Sequence, residues 1–269
     1  MRSPIKRHGG KAYLADWIIS KMPEHTHYVE PYFGGGSVLF RKPFEGISEV
    51  INDVDDELMN FYTVLQSEGM REQLQQILEL TPFSESEFTV AKSMEESTWL
   101  EPVRRAAHFF VVARQSRQGL GKDFATLSRN RTRRGMNEQV SAWLSAIEGL
   151  PEVHERLKRV VILNRSATDV IRQQDGPNTL FYLDPPYLHE TRVTTDDYQH
   201  EMSEADHIEL LDVLSAVQGK FLLSGYPSEL YTRYAREHGW SMNSKEIDNK
   251  ASSRKTKEKK QECLWMNFN

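Results

Sequence analysis

Short apolar runs, separated by polar and glycine-containing turns, recur at both ends of the chain. They fall at 27–31, 49–52, 160–163, 180–183, 221–223 and 262–268. Short continuous runs of this kind are typical of strands buried on both faces of a parallel sheet. From about 68 to 150 such runs are absent, and apolar residues recur at helical spacing instead. The pattern predicts an α/β fold with a doubly wound sheet and an inserted, mainly helical subdomain.

The helical segments can be placed by their apolar stripes and their caps. The stripes predict helices over 12–21 and 58–77, and a further helix starting at Val38–Phe40. Ser203 has Asp206 three residues later, which is close to a capping box and predicts a helix start there. The stretch Gly119–Gly135 is predicted to be a basic loop.

Composition narrows the class of protein. The chain has 269 residues with 38% hydrophobic residues, enough for one large domain or one domain with an insertion. No apolar run approaches the ~20 residues of a membrane span, and Met1–Gly10 lacks a signal-peptide core. Cys263 is the only cysteine, which excludes an intrachain disulfide and a thiolate metal cluster. We therefore expect a cytoplasmic protein without a membrane partner.

Histidines do not indicate a metal site. His189, His200 and His207 lack an i, i+4 partner on a convincing helix face, and no cysteine is near them. We interpret them as surface or core residues and predict no metal.

Charge is unevenly distributed along the chain. The net charge is -5, but basic residues cluster at 104–134 and 245–260 and acidic residues at 45–57 and 84–101. The basic segments could follow a phosphate backbone. They could equally be solvated helix faces and a lysine-rich tail, and charge alone leaves both interpretations open.

The most informative stretch is the DPPY motif, Asp184–Tyr187, which follows the apolar run Leu180–Leu183. Functional crevices of open α/β sheets lie at the carboxyl ends of strands, where this motif falls. Its two prolines have no N–H, so the motif offers acceptors (the Asp184 carboxylate and the proline carbonyls) beside the aromatic face of Tyr187. Such a pocket suits a planar group that carries an NH₂.

A second motif is a glycine-rich turn near the N-terminus. The strand at 27–31 runs into Tyr32-Phe33-Gly34-Gly35-Gly36-Ser37, and the next strand ends at Asp53. Glycines let a ligand approach the backbone, and an acid at the end of the second strand can accept both hydroxyls of a ribose. The pair indicates a nucleotide-like ligand.

Four stretches together resemble a known family, the DNA adenine-N6 methyltransferases of the Dam type (D12 class). They are Pro4–Lys11, Val29–Val38, Ile51–Asn60 and Leu183–Tyr187. The resemblance implies a Rossmann-like methyltransferase sheet and S-adenosylmethionine as cofactor. It implies a catalytic domain made of 1–65 and 155–269, with a target-recognition subdomain inserted at 66–154.

The resemblance also implies roles for individual residues. Lys11 would lie near the methionine part of the cofactor, Asp53 would hold the ribose, and Asp184 would sit between the cofactor and the target amino group. Arg7 stands four positions before the lysine, where the family often has an aromatic residue. The cofactor-binding residues would be Arg7, Lys11, Tyr32, Phe33, Gly34, Gly36, Asp53 and Asp184, and the catalytic residues Asp184, Pro185, Pro186 and Tyr187.

The implied reaction is methyl transfer to the amino group of an adenine flipped out of double-stranded DNA, with Tyr187 stacking on the base. We predict that the basic residues of the insertion bind DNA: Arg114, Arg117, Lys122, Arg129, Arg131, Arg133 and Arg134. A monomer or weak dimer in a bacterial or phage-infected cell is expected. The alternatives are an RNA or protein amide methyltransferase, and a non-catalytic nucleotide-binding protein that interacts with DNA.

Overall fold

The computed structural model describes residues 1–7, 10–94, 99–125, 129–188, 201–248 and 259–268. The chain divides into two compact units. The first unit comprises Met1–Trp17, Gly34–Pro43 and Asp55–Asn164, and the second unit comprises Ile18–Phe33, Phe44–Val54 and Arg165–Asn269.

Helices and strands alternate along much of the described chain. The helices are α1 Ala15–Ile19, α2 Asp56–Gln66, α3 Glu68–Leu80, α4 Glu85–Ser93, α5 Pro102–Gln115, α6 Glu138–Glu148, α7 Leu150–Leu157, α8 Ala167–Gln174, α9 Glu204–Ala216 and α10 Glu229–His238. The strands are β1 His27–Glu30, β2 Ser48–Asn52, β3 Thr132–Arg133, β4 Met136–Asn137, β5 Val160–Leu163, β6 Thr179–Leu183, β7 Lys220–Gly225, β8 Ser241–Asp248 and β9 Lys259–Met266.

A mainly parallel sheet forms the core of the second unit. Strands β2, β1, β6 and β7 are parallel neighbours in that order, and β9 and then β8 extend the sheet antiparallel. Val29 of β1 lies opposite Val50 on one side and Phe181 on the other. All five residues of β6 are buried, as expected of a strand covered on both faces. The predicted α/β, Rossmann-like sheet is confirmed.

The apolar runs located six of the described strands, and β3, β4 and β8 escaped them. Each predicted run contains or overlaps an observed strand. Strand β8 was not predicted, because its sequence SMNSKEID has no apolar run. It lies at the edge of the sheet, and β9 is its only partner among the described strands. Residues 245–248 and 259–260 are therefore strand rather than tail, and 249–258 lie outside the described residues.

The predicted helices needed more correction than the strands. The helix expected over 12–21 is only α1, Ala15–Ile19. Val38–Phe40 forms turns instead of starting a helix, since Pro43 follows closely and cannot continue one. The helix expected over 58–77 is interrupted at Ser67, whose backbone is extended (φ −86°, ψ 123°). The capping box of Ser203 and Asp206 is confirmed at the start of α9.

The first unit contains the helices α2 to α7, which pack around aromatic side chains. The Phe61 ring lies 5.7 Å from that of Phe110, which lies 5.3 Å from the Trp143 ring. The basic stretch expected to be a loop, Gly119–Gly135, contains β3 and the turn of a two-stranded hairpin that β4 completes. Its turn residues Arg134 and Gly135 both have positive φ, 54° and 74°, which a two-residue turn of this kind requires.

Among the residues that the structure describes, none of the helices combines the length and the apolar character needed to cross a bilayer.

The thiol of Cys263 can report on the integrity of the second unit. Cys263 lies in β9 and is 0% exposed. Burial, followed by the charge of Glu262, raises the pKa of this thiol to about 11. At pH 8 only about one thiol in a thousand is then a thiolate, the form that reacts.

We therefore expect the folded protein to resist an aromatic disulfide reagent at pH 8, and the protein in denaturant to react with one equivalent at once. The measurement is the absorbance of the released thiolate with time. Rapid stoichiometric labelling of the folded protein would contradict the burial of Cys263.

Candidate functional site

The DPPY motif directly follows β6 in the sheet of the second unit, and β6 lies between β1 and β7. Strand β6 pairs in parallel with β1 and with β7, and Leu183 lies opposite Leu223. Because parallel strands share one carboxyl edge, the residues after β1, β2, β6 and β7 emerge there together. The predicted residues Tyr32, Phe33, Asp53 and Asp184–Tyr187 are among them. Asp184 is half-buried and Pro185 is buried.

Tyr187 is held by one residue within β9 and by one residue directly after β7. Its hydroxyl donates a hydrogen bond to Oε1 of Glu262, and its ring meets that of Tyr226 edge-on, at 4.7 Å and 77°. Burial raises the pKa of Tyr187 well above its ordinary value, with further contributions from Asp184 and Glu262. Tyr187 is therefore a neutral hydrogen-bond donor and not a base. The contribution of Asp184 shows that its carboxylate lies close enough to Tyr187 to affect the pKa of the hydroxyl.

Two more tyrosines belong to the same environment. Burial raises the pKa of Tyr32, and the nearby carboxylates of Asp206, Glu209 and Asp53 raise it further. Burial and the neighbouring Tyr32 and Asp184 raise the pKa of Tyr231. Both side chains are therefore protonated near neutral pH. They contribute aromatic surface and hydroxyl groups rather than charge.

His207 is a core residue of α9. It is 0% exposed, and its Nδ1 lies 2.9 Å from the Tyr231 hydroxyl. His189 and His200, interpreted above with it, lie outside the described residues. Within the described part of the chain, no three His, Cys, Asp or Glu side chains are grouped so that they could hold a metal ion.

Asn52, the last residue of β2, ties the strand ends together. It is 0% exposed. Its Nδ2 donates to the carbonyls of Pro31 and Arg165, each at 3.0 Å. Its Oδ1 accepts from the Arg165 backbone N–H at 2.9 Å. One side chain thus fixes the loop after β1, directly before Tyr32, and the segment that leads to α8.

The glycine turn and the N-terminal segment lie in the first unit. Gly34 and Gly36 have positive φ, 51° and 64°, and a Cβ on Gly34 would meet no heavy atom within 4 Å. The Tyr62 hydroxyl donates to the Gly34 carbonyl at 3.3 Å. The turn is therefore open at Gly34, where a ligand could lie against the backbone.

Arg7 and Lys11 are placed by the N-terminal segment. The Arg7 guanidinium lies 2.8 Å from the Asp55 carboxylate, whose side chain is 2% exposed. Asp55 also caps α2 by accepting from the Leu58 N–H at 3.1 Å. Lys11 is buried, at 6% exposure. A Cβ on Gly10, which precedes Lys11, would lie 3.9 Å from the Ser37 hydroxyl, so this segment runs beside the glycine turn.

A cavity of about 1390 Å³ lies in the first unit and is lined mainly by polar residues. We call it the basic groove, after its basic lining residues. These are Arg2, Lys6, Arg41, Arg114, Arg117, Arg131 and Arg133. Partial burial, together with the charge of Arg114, lowers the pKa of Lys6, as expected where like charges converge. The acids Asp16, Glu138 and Glu152 also line the groove.

The basic residues predicted from sequence differ in their surroundings. Arg117, Arg129 and Arg133 are exposed, as is Lys122. Arg131 lies 3.8 Å from Glu138. Arg134 pairs with Glu148 at 2.9 Å and also donates to Ser145.

Arg114 is the most enclosed of the predicted set. It donates to the Ala142 carbonyl at 2.8 Å, and burial lowers its pKa to about 10. Arg117, Arg129 and Arg133 are thus better placed than Arg114 or Arg134 to meet a ligand.

Comparison with known proteins identifies the family. The profile of the D12 class N6 adenine-specific DNA methyltransferases matches residues 8–261. The chain belongs to this family. The matched residues include the glycine turn, Asp53, the DPPY motif and β9 up to Gln261.

Individual relatives either match a short part of this chain or match most of it at low identity. A DNA N-6-adenine-methyltransferase of Escherichia phage P1 is 37% identical over 68 residues, 25% of this chain and 9% of that enzyme. A DNA adenine methylase of Vibrio cholerae is 37% identical over 67 residues, 25% of this chain and 24% of the relative. The type II methyltransferase M.MjaIII of Methanocaldococcus jannaschii is 25% identical over 231 residues, 77% of this chain and 76% of that enzyme. The chain thus spans only a small part of the length of the first two relatives.

Sequence analysis missed several residues of this D12 chain. Glu262, Tyr226, Arg2 and Lys6 were not predicted, although each contacts the DPPY motif or lines the basic groove. One signal for Glu262 was available, since it directly precedes the apolar run Cys263–Met266, and an acid buried beside such a run needs a partner. Nothing in the local sequence indicates that the partner is Tyr187.

The role of Asn52 leads to a stability prediction. Asn52→Ala leaves two carbonyls and one N–H without these partners in a buried site, so we expect it to lower the free energy of unfolding by about 2–4 kcal/mol. Urea unfolding followed by circular dichroism measures the change. Asn60→Ala is the control, since its amide makes one exposed hydrogen bond, to Pro102, and should cost about 1 kcal/mol or less. Equal losses in the two variants would contradict the bridging role of Asn52.

Proposed function

We propose that this protein is a site-specific DNA adenine-N6 methyltransferase that uses S-adenosylmethionine. The observation that carries the proposal is the intact DPPY motif at the carboxyl edge of the sheet, with Asp184 half-buried beside neutral tyrosines. A methyltransferase takes its methyl group from a donor, and membership of the D12 family supports both the donor class and the adenine substrate.

The acceptors of the DPPY motif suit the adenine amino group. The nitrogen lone pair of this group is delocalised into the ring, so the group is a poor nucleophile. The Asp184 carboxylate and the Pro185 carbonyl can each accept a hydrogen bond from one N–H of this amino group. This arrangement favours a pyramidal nitrogen with its lone pair directed outward. The protein thus contributes position and electrostatics, and needs no covalent intermediate.

The residues present fit the proposed cofactor. In the first unit, the glycine turn is open at Gly34, where a Cβ would meet no heavy atom within 4 Å. In the second unit, Asp53 follows β2, where a carboxylate can accept ribose hydroxyls. By the resemblance, Lys11 serves the methionine part, and Arg7, Tyr32 and Phe33 flank the site. When bound, S-adenosylmethionine supplies an electrophilic methyl group on a sulfonium.

The target base has to leave the duplex before it can reach the DPPY motif. Tyr187 is 5% exposed, and a base within a DNA stack cannot approach it. We propose that the flipped adenine stacks on Tyr187, an interaction worth about 1–3 kcal/mol.

We propose the basic groove as the surface of the first unit that binds the duplex. Arg117 and Arg133 line it with exposed side chains, and the hairpin of β3 and β4 bears Arg133. Most protein–DNA hydrogen bonds go to phosphate and sugar, while arginine reads guanine through two hydrogen bonds in the major groove. The predicted role of 66–154 in target recognition is consistent with this surface and remains a proposal.

The RNA-base and protein-amide alternatives are less well supported. Enzymes of those classes with a related Pro-Pro-Tyr pocket usually carry Asn at the first position, whereas this chain has Asp184. A non-catalytic DNA-interaction protein would not need the complete acceptor set of the motif. Transfer of a radiolabelled methyl group to unmethylated DNA, RNA and protein, measured side by side, separates the proposed function from the three alternatives.

The proposed reaction predicts the effect of changing Asp184. Asp184→Ala removes an acceptor of the amino group, so we expect methyl transfer to fall at least about a hundredfold with the fold intact. Asp184→Asn keeps one acceptor oxygen and should retain measurable activity. Asp169→Ala is the control, because Asp169 is an exposed acid of α8. Near-normal turnover by the Ala variant would reject the catalytic role.

The basic groove predicts which arginines bind DNA. Arg117→Ala and Arg133→Ala should each weaken DNA binding. A phosphate contact would reduce the slope of log K against log salt by about one, while a base contact would relax the methylated sequence at one position. Binding titrations at several salt concentrations and sequencing of methylated sites measure both. Arg236→Ala is the control, an exposed arginine of α10. If both groove variants match this control, the duplex binds elsewhere.

A further inference from the structure

A buried carboxylate outside the DPPY motif holds the hydroxyl of its tyrosine. Glu262 is 1% exposed, and its Oε1 accepts the hydrogen bond from Tyr187, 75 positions away in the chain. Burying a carboxylate costs free energy unless hydrogen bonds stabilise it. Burial of Glu262 beside the DPPY motif therefore indicates that this position requires a hydrogen-bond acceptor, which an apolar side chain does not provide.

The hydrogen bond fixes the direction of the Tyr187 side chain. The ring is attached at one end to the backbone after Pro186 and at the other end, through its hydroxyl, to β9. A ring held at both ends of its long axis cannot swing away and can only turn about that axis. The edge-on contact with Tyr226, at 4.7 Å and 77°, limits that remaining rotation.

The sheet makes the anchor rigid. Gly225 of β7 pairs with Cys263 of β9, so Tyr226, directly after β7, and Glu262 occupy neighbouring positions on the two strands. A Cβ on Gly225 would come within 3.0 Å of the Trp265 ring, which shows how closely the strands pack there. Glu262 is therefore attached to a paired strand and not to a loop.

We propose that Glu262 is a positioning residue, which holds Tyr187 in the orientation that receives the flipped adenine. This inference rests on the proposed function. Glu262 does not touch the base in this proposal and acts only through the Tyr187 hydroxyl. A stacked base placed wrongly by about 1 Å can cost about a hundredfold in rate, so loss of the anchor should affect the chemical step more than duplex binding.

Three variants test the proposal. Glu262→Met is of similar length and offers only the weak acceptor of a thioether. Glu262→Gln keeps an acceptor oxygen, and Tyr187→Phe keeps the ring without its hydroxyl. Glu246→Met is the control, an exposed glutamate of the neighbouring strand β8. Circular dichroism and thermal unfolding establish that each variant is folded.

The readouts separate positioning from a general loss of structure. Single-turnover rates and DNA dissociation constants are measured for each variant. A duplex with 2-aminopurine at the target position reports stacking, because this base fluoresces brightly when unstacked and is quenched against an aromatic ring. We expect Glu262→Met to lower the single-turnover rate at least about tenfold, to change the DNA dissociation constant less than about twofold, and to give a brighter flipped base than the wild type. Glu262→Gln should retain about a third of the rate or more.

The double variant decides whether Glu262 acts through the hydroxyl. Adding Glu262→Met to Tyr187→Phe should lower the rate little further, since the hydroxyl is already absent. The proposal is overturned if the two losses multiply, if the Gln and Met variants are equally impaired, or if the Met variant has the rate and fluorescence of the wild type. Absence of methyl transfer to adenine by the wild-type protein would be a different failure, which rejects the proposed function and this inference with it.

Discussion

The parallel pairing of β2, β1, β6 and β7 is the constraint on which the candidate site depends. Parallel strands point their carboxyl ends toward one edge, so four loops that are far apart in sequence emerge side by side. The register places Leu183 opposite Leu223. Asp184–Tyr187 and Tyr226 therefore lie beside each other at the carboxyl edge of the sheet. Without this pairing, the acceptors of the DPPY motif and the residues that hold them would not meet.

Buried polar side chains maintain this edge. Asn52 and Glu262 are almost completely inaccessible, and each makes hydrogen bonds to groups distant in the chain. Because an unsatisfied polar group in the interior is costly, such residues favour one arrangement of the loops over others. Asn52 orders the loop before Tyr32, and Glu262 orders the ring of Tyr187. Apolar packing alone would leave these directions less well defined.

In the first unit, the basic groove concentrates positive charge on a chain whose net charge is negative. The net charge of the chain is -5, yet the basic groove collects seven basic side chains from the N-terminal segment and from Arg41 through Arg133. A local excess of positive charge attracts a polyanion whatever the overall sign of the molecule. Some cations of the groove already pair with carboxylates, such as Arg41 with Asp16 and Arg131 with Glu138. Such pairs stabilise the protein, and the other exposed cations of the groove are better placed to meet a ligand.

The sequence by itself determined six of the described strands, the class of fold and the family, because apolar runs and the Asp-Pro-Pro-Tyr and glycine motifs are local features. It also located Ser203 and Asp206 correctly as a helix cap, since capping involves residues three positions apart. Only the tertiary structure revealed β8, whose polar edge position leaves no apolar run, and the break at Ser67. Only the tertiary structure paired Tyr187 with Glu262, added Arg2 and Lys6 to the basic groove and enclosed Arg114. These contacts join residues that are distant in the chain. Unlike apolar periodicity, a long-range hydrogen bond or a cluster of charges produces no repeating pattern in the local sequence.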